Sequence, residues 1–213
     1  MKELKLNRCF SNIPLIYEFY GTGHIIYKNH IFYHHNGEKE IIVYNIVDSS
    51  NIEIIAAPDD GVCCDTNDSL YKMKHSGMFH FQVDENGLWL IYALKTDQVF
   101  VISKINESNF TNLQIEKKWY VHADRENTLS LFITCGQLYA IKQQLPSMTI
   151  TLSKVCNLLE DEYCNRNYTD NDLAVLSSLT SQITFAQYNP DKKLLFIVDG
   201  GNFLYFKLDV SLV

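Results

Sequence analysis

The sequence predicts an all-β protein built as a propeller, and three observations carry that prediction. Helical periodicity is poor, and short β-favouring runs are frequent. Tyr and Phe are abundant, 13 and 12 of 213 residues, as strands prefer. One unit also recurs: an apolar strand, a polar turn, then an aliphatic-aromatic pair opening a second strand. The pairs are Ile31-Phe32, Leu88-Trp89, Leu138-Tyr139 and Leu195-Phe196. Successive pairs lie roughly 50 to 57 residues apart, the spacing of four-stranded propeller blades.

Taken in order, the hairpins are "GHIIYKNHIFYHH" (23–35), "FQVDENGLWLIYA" (81–93), "SLFITCGQLYAIK" (130–142) and "FAQYNPDKKLLFIVDGGN" (185–202). The second is the clearest, because Asn86-Gly87 is a dipeptide favoured in tight hairpin turns. Further strands follow at 40–47, 99–106 and 203–210, so each repeat reads as a meander of about four strands. A single blade cannot bury both of its faces, and its neighbours must cover it. Two stretches break the pattern. Residues 56–77 are polar and loop-like. Residues 157–181 form a longer acidic excursion with one predicted helix near 171–179, where Asn171 or Asp172 could cap the start.

Composition bounds the function. Hydrophobic residues make up 46% and charged residues 20%, an ordinary globular balance. The net charge of −7, with no basic block, argues against nucleic acid as a partner. No apolar run approaches the roughly 18 residues of a membrane span, and the first residues show no continuous apolar signal core. None of the six cysteines forms a C-x-x-C pair, which disfavours structural zinc. Sequons at Asn67, Asn106, Asn109 and Asn167, with an even cysteine count, point to a secreted glycoprotein.

Several sharper readings lose to plainer ones. Asp84-Glu85 could be an acid/base pair, but a solvated turn is expected. Asp59-Asp60-Gly61 reads as turn chemistry. His30 and His34 share one strand face, with His24 and His35 nearby, and a polar face is expected rather than a zinc site. Gly21-Thr22-Gly23 lacks the third glycine and helix of a dinucleotide loop and reads as a turn into the blade. Cys63-Cys64 are too close to bond each other without strain. Cys156 and Cys164 are spaced to staple the acidic excursion. Trp89 and Trp119 are expected in the core.

In combination and in order, G-T-G before a hairpin, V-D-E-x-G-L-W, C-G-x-L-Y and Y-N-P-x-x-K-x-L resemble the olfactomedin domain. The resemblance runs from about Gly21 to the C-terminus and weakens across 56–77 and 145–181. It implies a five-bladed propeller, non-enzymatic, acting in adhesion or signalling between extracellular or cell-surface proteins. Such domains usually begin well before the G-T-G motif. The expectation is therefore a remnant of an upstream segment at 1–20, and a domain at 21–213 that is incomplete in its first blade. Secretion, a membrane tether or oligomerisation would then come from upstream sequence.

The resemblance also implies a disulfide between the C-G-x-L-Y cysteine, here Cys135, and a cysteine near the domain start, where Cys9 is the candidate. It implies an internal calcium site with two Asp and one Asn as side-chain ligands. Those positions hold His80, Ser130 and Gln187 here. Both carboxylates are gone, and a hard cation needs anionic oxygens, so calcium binding is expected to be lost. A softer metal at His80 would require further ligands. The competing functional readings are a propeller hydrolase with acidic residues in a central channel, and a truncated chain with no independent function.

Overall fold

The computed structural model describes residues 14–48, 52–59, 62, 69–72, 76–95, 99–160, 164 and 172–208. Among them there are fifteen strands and no helix. Sheet I holds β1 (Phe19–Tyr27), β2 (His30–His35), β3 (Glu40–Asn45) and β4 (Ile52–Ala56). Sheet II holds β5 (His80–Asp84), β6 (Gly87–Ala93), β7 (Val99–Ile105) and β8 (Ile115–His122). Sheet III holds β9 (Thr128–Thr134), β10 (Gln137–Gln144), β11 (Thr149–Asn157) and β12 (Asp172–Val175). Sheet IV holds β13 (Ile183–Asn189), β14 (Leu194–Asp199) and β15 (Asn202–Lys207). Every sheet is an antiparallel meander in chain order.

The four sheets are arranged as propeller blades. Their first strands meet at a common axis: β1 touches β5, β5 touches β9, and β9 touches β13. The closing contact between β1 and β13 is the sparsest of the set. Each aliphatic-aromatic pair lies in the second strand of its sheet, flanked on both sides and buried or half-buried. The repeat in the sequence is therefore the repeat of the fold.

Facing sheets interdigitate. Between sheets I and II, Phe32 lies 5.5 Å from Phe81 and His34 lies 5.3 Å from Phe79, centroid to centroid. One core spans sheets I to III, and a second joins sheets III and IV through residues such as Phe132, Tyr188 and Ile197. Removing a side chain of this size from water contributes roughly 1.5–3 kcal/mol. Trp89 and Trp119 are both buried, 5.7 Å apart.

The glycines of the G-T-G motif have separate tasks. Gly21 adopts φ +82°, open to glycine at little cost. At Gly23 a Cβ would sit 2.1 Å from the Phe79 carbonyl oxygen, so β1 can approach β5 only because a side chain is missing.

Three expectations are corrected. The predicted helix at 171–179 is not formed: Asp172–Val175 is strand β12, pairing Thr151 with Val175 and Ser153 with Asp172. The free ladder edge of β11 outweighs a short run with one cap. Asp172 accepts a hydrogen bond from Ser153 Oγ at 2.8 Å, so it serves the sheet instead. The His30/His34 face is not a polar surface. His30 packs edge-on against Phe110 at 5.1 Å and His34 against Phe79. The 56–77 loop is partly core: Val62, Leu70 and Tyr71 are buried, and Val62 bridges Leu94.

Candidate functional site

Two polar constellations lie at the axis. The first centres on His80, the opening residue of β5, buried near the axis. Gln82 is two residues along the same strand, so both side chains point the same way. The Gln82 amide nitrogen donates to the Ala186 carbonyl at 3.2 Å and lies 2.6 Å from His80 Nε2. With hydrogens on both sides of that nitrogen, His80 Nε2 is the acceptor. The ring proton then sits on Nδ1, 2.6 Å from the Tyr71 hydroxyl that receives it. Burial, with a smaller contribution from His24, pushes the His80 pKa down to about 3, so the imidazole is neutral. Burial likewise raises the Tyr71 phenol above its ordinary range.

The three positions singled out for calcium do not converge. His80 and Ser130 border one small cavity of about 10 Å³, room for a single water at most. Gln187 instead lines a neighbouring cleft. The donor set does not suit calcium, because it offers an imidazole already engaged at both nitrogens and neutral oxygens only. Among the described residues no group of three His, Cys, Asp or Glu could hold a metal ion. Sequence reasoning missed Gln82 and Tyr71. The two-residue spacing from His80 could have found Gln82, whereas nothing local marks Tyr71.

The second constellation is the Asp84-Glu85 tip, where Glu85 and Asn86 are exposed, and the expectation of a solvated turn is corrected at Asp84 alone. Asp84 is 3% exposed. Its Oδ1 accepts from Asn86 N at 2.8 Å and Trp89 Nε1 at 2.7 Å. Its Oδ2 accepts from Asn86 Nδ2 at 3.0 Å and Gly136 N at 2.6 Å. Glu85 accepts from Cys135 N at 2.8 Å and the Tyr188 hydroxyl at 2.6 Å. Two adjacent carboxylates thus tie sheet II to sheets III and IV. Burial opposes the Glu85 charge, but the bonds from Tyr188 and Cys135 outweigh it and hold its pKa below the ordinary value. An acid/base pair needs a free lone pair near substrate. Here four structural donors fill the acceptor sites of Asp84, and each oxygen of Glu85 accepts from a neighbouring sheet.

Other carboxylates behave alike. Glu107 accepts from Leu88 N at 2.8 Å and from Tyr27 at 3.1 Å, and pairs with Lys28. Asp59 pairs with Lys118 at 2.9 Å and receives the Tyr92 hydroxyl.

Between sheets I and IV lies a cleft of about 450 Å³, bordered by His24, Ile26, Tyr27, Phe185, Gln187 and Asp191. The flanking sheet faces are apolar and open: Ile26 is 65% exposed, Phe203 63% and Tyr205 68%.

Cys156 and Cys164 are joined by a disulfide with Cα atoms 5.7 Å apart. Cys135 is a free thiol, which corrects the expected disulfide at this position, and its pKa is raised by burial and by the adjacent Glu85 charge. Cys9, Cys63, Cys64, Asp60, Asn67 and Asn167 lie outside the described residues. Asn106 and Asn109 stand in the loop between β7 and β8.

Four antiparallel sheets around an axis, tied by the V-D-E-N-G tip to the C-G turn, define a propeller module. Residues 1–212 match the olfactomedin-like domain, and the chain belongs to that family. It is 27% identical over 219 residues to olfactomedin-like protein 3 of Xenopus tropicalis, covering 99% of this chain and 49% of the relative. It is 26% identical over 196 residues to olfactomedin-like protein 3A of Danio rerio, covering 90% and 46%. It is 28% identical over 131 residues to olfactomedin-4 of Homo sapiens, covering 61% and 24%. The chain spans about half the length of the olfactomedin-like 3 relatives it matches.

Proposed function

We propose that the chain is a non-enzymatic, extracellular protein-interaction module that acts in adhesion or signalling, secreted or tethered at the cell surface through sequence outside 1–213. Family membership carries this reading, and the axis supports it. Where a hydrolase would need free carboxylates, the axis presents His80 and Gln82 bonded to each other, and Asp84 and Glu85 bonded to neighbouring sheets. The net charge of −7 favours protein partners over nucleic acid. In this reading the domain at 21–213 belongs to a five-bladed propeller, and the cleft between sheets I and IV is the place of the remaining sheet. Calcium has no role. Oligomerisation would come from an upstream region.

The open seam favours one alternative, a truncated chain that does not fold independently. Both readings meet one experiment. The full chain, expressed behind a secretory leader and labelled, is applied to intact animal cells and melted in parallel. The expected result is a cooperative melt, surface binding abolished by prior trypsin treatment of the cells, and no response to a chelator. A non-cooperative melt establishes the alternative. A folded chain that binds no cell surface, or one that turns over a hydrolase substrate panel, overturns the proposal.

A further inference from the structure

We infer that Asn109 carries an N-linked glycan and that Asn106, three residues earlier, does not. The inference rests on the extracellular reading above. Asn106 and Asn109 share one loop but not one geometry. Asn109 is exposed, and its Oδ1 accepts from Thr111 N at 2.9 Å and from Thr111 Oγ1 at 2.7 Å. That double contact closes an Asx turn, fixes the carboxamide and leaves Nδ2 without a partner among the described residues. Asn106 is half-buried, and its Oδ1 is held by Ser108 N alone at 2.9 Å. The Ser108 hydroxyl makes no such bridge among the described residues.

The residue between Asn109 and Thr111 anchors the turn. Phe110 is buried among His30 at 5.1 Å, Phe32 at 5.2 Å and Tyr27 at 6.4 Å. A bulky, solvated glycan on Asn109 therefore projects from a rigid base without displacing core. On Asn106 it would meet the neighbouring Glu107 cluster with Tyr27 and Lys28. The reaction is a substitution at the anomeric carbon of a lipid-pyrophosphate-linked oligosaccharide. A bond forms from Asn109 Nδ2 to that carbon, and the carbon–oxygen bond to pyrophosphate breaks. The amide proton passes to a base of the transferase, and the lipid pyrophosphate leaves.

The β7–β8 loop lies on the same rim as the β1–β2, β5–β6, β9–β10 and β13–β14 turns, so this rim is the sugar-bearing one.

The test is glycopeptide mass spectrometry on the full chain made behind a cleavable secretory leader in animal cells, reading both the secreted and the retained pools. The leader forces entry into the secretory route. A failure at this site is therefore distinct from a failure of the localisation reading, which the cell-surface binding experiment tests separately. Occupied Asn109 with bare Asn106 is expected. Thr111→Ala and Asn109→Gln should each remove one glycosidase-sensitive step on a gel, and Ser108→Ala should remove none. Bare Asn109 in both pools, or a glycan on Asn106 with or without one on Asn109, overturns the inference.

Discussion

Asp84 and Glu85 show how much a residue's meaning depends on what surrounds it. Along the chain they are two acids beside Asn-Gly. In space each oxygen of Asp84 has donors, two of them on the neighbouring residue Asn86 and one on sheet III. Asp84→Ala would leave the Trp89 and Gly136 N–H groups buried and unpaired, a loss of roughly 2–4 kcal/mol. The urea midpoint should fall accordingly, with an unchanged slope. His80 is the second residue with a sharp prediction. Its folded pKa lies near 3, below its ordinary 6.5, so the unfolded chain binds more protons between those values. Stability should therefore be full above pH 6.5 and decline as pH falls towards 3. His34 is also depressed by burial and acts in the same window. Thermal melts from pH 7 to 5 should show the decline, and His80→Gln should flatten the larger part of it. Glu85 adds a further loss only as pH falls below its ordinary value near 4.5, because its folded pKa is depressed. Neither the burial of Asp84 nor the partnership of His80 with Tyr71 was legible in the sequence, since both depend on residues brought in by other sheets.

At the level of strands and turns, more of the fold is legible in the sequence, for a physical reason. The aliphatic-aromatic pair sits in the second strand of each sheet, which is flanked on both sides, so it recurs once per sheet in β2, β6, β10 and β14. The edge strand β12 was misread as helix because its stability comes from β11 and not from its own four residues. The loop at 69–72 was misread as polar because Leu70 and Tyr71 are a small apolar minority in a hydrophilic stretch. Gly23 belongs to this scale as well. Gly23→Ala would push β1 off the Phe79 backbone and should cost about 3 kcal/mol. Gly37→Ala, with nothing near its Cβ but a φ of +82°, should cost only about 1 kcal/mol. The pair of melting curves separates close approach from turn geometry.

For the whole molecule, the informative feature is the seam between sheets I and IV. Three inter-sheet boundaries are filled by interlocking side chains, and the fourth touches mainly at the axis. The exposed Phe203 and Tyr205 on one side, and Ile26 on the other, form an apolar surface of the kind that drives association. The isolated chain should self-associate with rising concentration in sedimentation velocity, and Phe203→Ser with Tyr205→Ser should shift it towards monomer without lowering its melting temperature by more than about 1 °C.

The seam also gives the ring a mechanical weak point. Sheets I and IV are first and last among the described residues, so tension applied between residues 14 and 208 loads their shared boundary before any other. That boundary has little to shear, whereas the tip of sheet II is bolted to two neighbours through Asp84 and Glu85. Under load the ring would part first at this one boundary, like a split washer opened at its cut.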